Sequence, residues 1–236
     1  MDFSTLTTFR KEQYECFESA ADALMNVCDA LLSDVSAGSF IELSLSPFFE
    51  RRWPSLYEAF QDGRINRDAL RRMTASHVEK PSEGRRLILG IDTSNIARPE
   101  SDTARDRTFQ HIPNLPKCKS PVTIGWSCST LVVLPQERSS WTYILDNLRV
   151  QSHQTPAQVA SEQLAAIVPL LPERPVVLGD RHYGSAAFFG QTKDIACDNL
   201  SDIIRDSCKC LYLLRSHLHT RRDFRQPFCH MIDYSH

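Results

Sequence analysis

The chain has 236 residues but no long apolar run: its longest uncharged stretch, 120–136, contains two prolines and several hydroxyls. A membrane-spanning helix needs about 20 predominantly apolar residues, so no span is expected. The chain also lacks a basic and then apolar beginning, since Met1-Asp2-Phe3 leads into an acidic stretch. That excludes the usual secretory signal and points to a cytoplasmic protein. Internal repeats and low-complexity tracts are missing too, which removes solenoid and fibrous architectures. What remains is ordinary for a water-soluble globular protein, with 42% hydrophobic and 24% charged residues. The length suits one domain and a smaller appendage. The eight cysteines are scattered, and without an export signal they read as free thiols.

The net charge of -2 conceals an asymmetry, because residues 1–50 carry two Lys or Arg against nine Asp or Glu. Arginines cluster instead at 51–52, 64–72, 85–86, 105–107 and 221–225, and such clusters bind phosphate when they share one face. Between residues 4 and 35 apolar side chains recur every three or four positions, the period of an amphipathic helix, so one or two helices are expected. Pro54 suits the first turn of another helix, and Asn66 is placed to cap a further one after the Asp62-Gly63 turn. Residues 1–80 therefore read as a small helical region, with a linker at 80–84.

After the linker the period changes. Arg86-Leu87-Ile88-Leu89-Gly90-Ile91 is a continuous apolar run of the kind that fills a central strand covered on both faces, ending at Asp92. Residues 121–135 and 141–150 supply two more extended segments. Thr155-Pro156-Ala157-Gln158 starts a helix, with threonine as N-cap and proline at the first helical position. Pro175-Val176-Val177-Leu178-Gly179 is a second buried-strand pattern, ending at Asp180, and 209–215 is a third. The order β-β-β-α-β-α-β predicts a mixed α/β sheet over 84–216, with 217–236 left as a tail. Trp126 and Trp141 fall in strand patterns and read as core or edge packing.

Asp92 and Asp180 each close a predicted buried strand just before a polar turn. If those strands are neighbours the two carboxylates converge, and hard Mg²⁺ or Mn²⁺ is the usual means of neutralising paired acidic oxygens. Such ions activate the attacking oxygen and stabilise the leaving oxygen of a phosphodiester. The plainer alternative is that each aspartate ends its strand in an Asx-type turn.

The local text around both aspartates carries a resemblance. Leu89-Gly90-Ile91-Asp92-Thr93-Ser94-Asn95-Ile96-Ala97-Arg98-Pro99, then 103–108, Pro121-Val122-Thr123-Ile124-Gly125-Trp126, Ser140-Trp141-Thr142 and Val177-Leu178-Gly179-Asp180-Arg181-His182-Tyr183-Gly184 follow in the order found in DDE transposases of bacterial insertion sequences. The chain resembles that family over about 85–223. The resemblance implies a ribonuclease H-like sheet in which the strand ending at Asp92 is central, with the strand ending at Asp180 parallel to it. It also implies that Asp92 and Asp180 are catalytic, metal-binding carboxylates for Mg²⁺ or Mn²⁺, and that DNA is the partner of a bacterial, nucleoid-associated enzyme, with a homo-oligomer as an option.

Leu213-Leu214-Arg215-Ser216 looks like the family's fifth strand. Arg98, Arg105, Arg107 and Arg215 are the candidate DNA contacts, and His182 and Tyr183 lie where they could touch substrate. The N-terminal region would help recognise transposon ends, through 51–72 rather than its acidic first fifty residues. The family's third carboxylate is a glutamate beyond the fifth strand, yet no glutamate follows Glu173. The chain therefore reads as a truncated or frameshifted copy with little strand-transfer activity of its own. Three rivals remain: a non-catalytic DNA-binding remnant, a haloacid dehalogenase-like phosphatase, and a zinc-stabilised module using Cys208, Cys210, His217, His219, Cys229 and His230. The phosphatase would want an acid where Ser94 stands, and the zinc spacings are poor.

Overall fold

The computed structural model describes residues 3–34, 36–111, 122–137, 139 and 141–199. The chain divides into a first unit ending at Met73 and a second beginning at Thr74.

In the first unit, α1 (Phe3–Glu15), β1 (Phe17–Ser19), α2 (Ala21–Ser33), α3 (Phe40–Ser44), α4 (Pro54–Asp62), β2 (Arg64–Ile65) and the start of α5 (Arg67–Ser76) follow in order. The helical period of 4–35 resolves into two helices with β1 between them. β1 and β2 form an antiparallel ribbon pairing Phe17 with Ile65. Asn66 caps α5 as its residue type predicts, accepting a hydrogen bond from the Ala69 amide at 2.9 Å. Val27, Ala30, Leu43, Phe49 and Leu56 make the main core of this unit. α3 was not foreseen; its five residues span little more than one turn, too short for a period to show.

The second unit is built on β3 (Ile88–Ala97), β4 (Thr108–His111), β5 (Val122–Val133), β6 (Tyr143–Val150), α6 (Pro156–Ile167), β7 (Val176–Gly179), α7 (Ala186–Thr192) and β8 (Asp198–Asn199). β3 lies at the centre, antiparallel to β5 and parallel to β7, and β8 adds a second parallel strand outside β7. β5 is long enough to pair β4 along its first residues and β6 along its last. Four strands paired antiparallel through β5, followed by two helix-linked parallel strands, make a ribonuclease H-like sheet.

α6 forms where its cap dictates. The Thr155 hydroxyl accepts from the Gln158 amide at 3.3 Å, and the Gln158 side chain accepts from the Thr155 amide at 2.8 Å. This reciprocal capping box satisfies two amides that would otherwise lack helical partners. The helix lays Val159, Ala160, Gln163, Leu164 and Ile167 on the sheet, where Leu89, Ile91, Leu131, Leu145, Val177 and Phe188 complete one core.

Two expectations need correction, and two short strands were not signalled. β3 does not stop at Asp92 but runs five residues further, to Ala97; its backbone stays paired with β5 from Asp92–Thr130 to Ala97–Gly125. A polar Thr-Ser-Asn sequence resembles a turn, but a continuous partner strand keeps it extended. β4 is an edge strand of four residues that the sequence did not signal. β8, at Asp198–Asn199 beside β7, is a second short strand that the sequence did not signal; the strand expected at 209–216 lies outside the described residues. Trp141 is 83% exposed, so it is neither core nor edge packing.

Candidate active site

β3 and β7 run parallel in the register Ile88–Val176, Leu89–Val177, Gly90–Leu178 and Ile91–Gly179. Asp92 and Asp180 are the next residues on the two strands. Neighbouring strands lie about 4.8 Å apart, so the two aspartates stand side by side where β7 ends. Leu89, Ile91 and Val177 face the core under α6, and strand alternation puts both aspartates on the opposite side of the sheet. Both are half-buried. Like charges carried on neighbouring strands repel one another. A divalent cation converts that repulsion into attraction, and this donor set of hard oxygens suits Mg²⁺ or Mn²⁺.

The backbone treats the two acids differently. Asp92 is held within a paired strand, and its Oδ1 accepts from the Thr93 amide at 2.8 Å. Asp180 opens a turn in which its Oδ1 accepts from the His182 amide at 2.8 Å and its carbonyl accepts from the Tyr183 amide at 3.0 Å. The Asx-type turn is therefore present at Asp180, beside rather than instead of the pairing of the two acids. Among the described residues no group of three or more His, Cys, Asp or Glu gathers as a metal site. Asp198 is already committed: it lies 2.6 Å from Arg86 and 2.5 Å from Arg174. The hydrogen bond from Arg86, helped by Arg174, holds its carboxyl below the usual range.

Tyr183 is 2% exposed, so it lies in the core and not where it would touch substrate. His182 is exposed. The Tyr183 hydroxyl pairs with the Thr93 hydroxyl at 2.7 Å. Burial pushes the phenol up to about 12; its hydrogen bond to Thr93 opposes this, and the charges of Asp92 and Asp180 add to it. Ser129, close by, also opposes the rise. The Ser129 hydroxyl donates in turn to Gln163 at 2.7 Å, and the Gln163 amide returns a bond to the Ser129 carbonyl at 3.1 Å. The sequence held one signal for this network, a polar Gln163 on the apolar face of α6, but nothing that named its partners.

The candidate DNA-binding arginines are not equivalent. Arg105 is exposed, and its carbonyl accepts from the Trp126 indole at 3.0 Å. Arg98 donates to the Ala97 carbonyl at 2.8 Å. The Arg107 side chain is only 15% exposed and donates to the carbonyls of Arg98 and Pro99 at 2.8 and 3.3 Å. It therefore acts as an internal tie of the loop joining β3 to β4. Asp106, at φ 55°, fastens the same loop by accepting from Arg149 and from the Ser152 amide, both at 3.2 Å. The left-handed region is one that aspartate tolerates. Arg149 also lies 5.9 Å from the centre of the Trp126 ring. Arg215 and the cysteines and histidines of the zinc alternative lie outside the described residues.

A central strand with antiparallel neighbours on one side and parallel ones on the other makes a ribonuclease H-like sheet, with one aspartate on β3 and another just past the end of β7. Residues 12–207 match the family described as DDE superfamily endonuclease, and the chain belongs to that family. Endonucleases of this superfamily generally depend on divalent metal ions. Among solved structures the chain is similar to a piggyBac transposase in a synaptic complex with hairpin DNA, with a TM-score of 0.39 and 10% identity. That likeness covers 75% of this chain and 39% of the other, so this chain spans well under half the length of its structural relative. No curated protein matches the chain.

Proposed function

We propose that the chain is the nuclease portion of an insertion-sequence transposase of bacterial type, acting on DNA, with Asp92 and Asp180 as two metal-binding carboxylates. The observation that carries this reading is the register of β3 on β7, which makes the two aspartates neighbours where the parallel pairing ends. Mg²⁺ or Mn²⁺ bound there supplies activation of the attacking oxygen and stabilisation of the leaving one. The protein's own part is to hold two oxygen donors at fixed spacing and to present cations to the backbone of the nucleic acid. Exposed Arg105 is the first candidate for a phosphate contact, with Arg98 and Arg215 as further candidates.

The third ligand is the weak point. No glutamate follows Glu173, and the aspartates that come after β8 in sequence are Asp202, Asp206, Asp223 and Asp233. Two carboxylates hold one ion weakly and position a second poorly, and positioning supplies most of phosphoryl-transfer catalysis. The reading therefore expects weak metal binding and little strand transfer from these two carboxylates alone.

Titration with Mn²⁺ tests it. The chain should bind the ion saturably, and Asp92→Asn or Asp180→Asn should each abolish binding without unfolding the protein. Equal binding by both variants would reduce the two acids to turn formers. Vigorous strand transfer on a transposon end, abolished by Asp92→Ala, would show that another residue completes the site.

A further inference from the structure

We propose that Tyr183 is a positioning residue for the paired aspartates, holding the Asp180 turn against the strand that carries Asp92. This rests on the reading of the two acids as metal ligands. The turn reverses the chain within four residues, through the Tyr183 amide to the Asp180 carbonyl at 3.0 Å and the Gly184 amide to the Arg181 carbonyl at 3.2 Å. That reversal folds the Tyr183 ring back over the last residue of β7. A Cβ built on Gly179 would lie 2.9 Å from the Tyr183 Cβ and 3.1 Å from its ring, so only glycine lets the ring settle there. Phe188 of α7 braces the ring edge-on, with centroids 5.4 Å apart.

Core packing alone does not explain the hydroxyl. A phenylalanine would fill the same space, whereas a phenol in a site 2% exposed is costly unless its oxygen finds partners. The partner it finds on β3 is Thr93, the residue after Asp92. One side chain thus links a residue adjacent to the first acid with a residue three positions beyond the second. Without the link, the spacing of the carboxylates on the β7 side depends on the turn's own hydrogen bonds and on the packing of the ring against Phe188. Mg²⁺ demands near-ideal octahedral placement of its oxygens, so its affinity reports that spacing more sharply than overall stability does.

The test uses the full chain as wild type, Tyr183→Phe, Thr93→Val, the double variant and Thr93→Ser. Two readouts are taken: Mg²⁺ affinity by calorimetry, and hydrogen exchange of the His182 and Tyr183 amides without metal. Loss of one net hydrogen bond should speed exchange of these amides about five-fold in Tyr183→Phe. Mg²⁺ affinity should fall about three- to ten-fold in Tyr183→Phe and in Thr93→Val. The double variant should be no worse than either single one, because both break the same link, and Thr93→Ser should retain wild-type affinity. Unchanged exchange in Tyr183→Phe overturns the proposal, as does unchanged Mg²⁺ affinity where exchange has risen. Failure of the wild type itself to bind Mg²⁺ overturns the metal reading and the role assigned here; faster exchange in Tyr183→Phe would then mark a purely structural link.

Discussion

Replacing Gly179 by alanine adds one methyl group, and the structure says where it goes. The new Cβ would meet the Tyr183 Cβ at 2.9 Å and two ring atoms at 3.1 Å, closer than side chains pack. Gly179 is buried in a paired strand, so the backbone has little room to retreat and the ring must move. Moving it disturbs the contact with Phe188 and stretches the bond to Thr93. Overpacking of this kind costs about 1–3 kcal/mol, and losing a hydrogen bond adds about 1 kcal/mol. The unfolding transition of the second unit should therefore fall by roughly 4–15 °C. The control is Gly190→Ala in α7. A Cβ at Gly190 meets nothing within 4 Å, and alanine is favoured over glycine in a helix by about 0.5–1 kcal/mol. Calorimetry of the two variants beside the wild type should show shifts of opposite sign. Gly179→Ala as stable as the wild type would refute the account of how the Tyr183 ring sits on β7.

Leu164 is fully buried between α6 and the sheet, so Leu164→Ala should cost about 2–5 kcal/mol in urea unfolding. The Tyr183 phenol is raised to about 12 in the folded chain against about 10 when unfolded. Its contribution is complete below pH 10 and is lost as pH rises toward 12. Unfolding free energy should decline there by up to about 1.4 kcal/mol per pH unit more steeply in the wild type than in Tyr183→Phe, and parallel slopes would contradict the burial of the phenol. Arg105→Ala should leave stability unchanged, weaken DNA binding and lower the salt slope by about one. Arg107→Ala, by releasing the carbonyls of Arg98 and Pro99, should instead open 98–107 to limited proteolysis. The two variants can be told apart by filter binding and protease mapping.

The sequence revealed those parts of the domain that local chemistry determines. The β3 and β7 cores are continuous apolar runs, each followed by an acid, and α6 announces itself by Thr155, Pro156 and Gln158. The strands hidden from it were those decided by distant partners. Thr93-Ser94-Asn95 stays extended because β5 runs alongside, and no property of those three residues says so. β8 has two residues, too few for any pattern. Tyr183 was legible as a neighbour of Asp180 but not as a buried one, because its burial depends on the absence of a side chain four positions earlier.

The extension of β3 past Asp92 also divides labour between the two acids. The first is riveted into a ladder that continues on both sides of it, so it cannot shift without unzipping its neighbour strand. The second occupies the mouth of a short reversal fastened at few points. Any local rearrangement of the two acids must therefore fall on the Asp180 side, with Asp92 as the stationary reference.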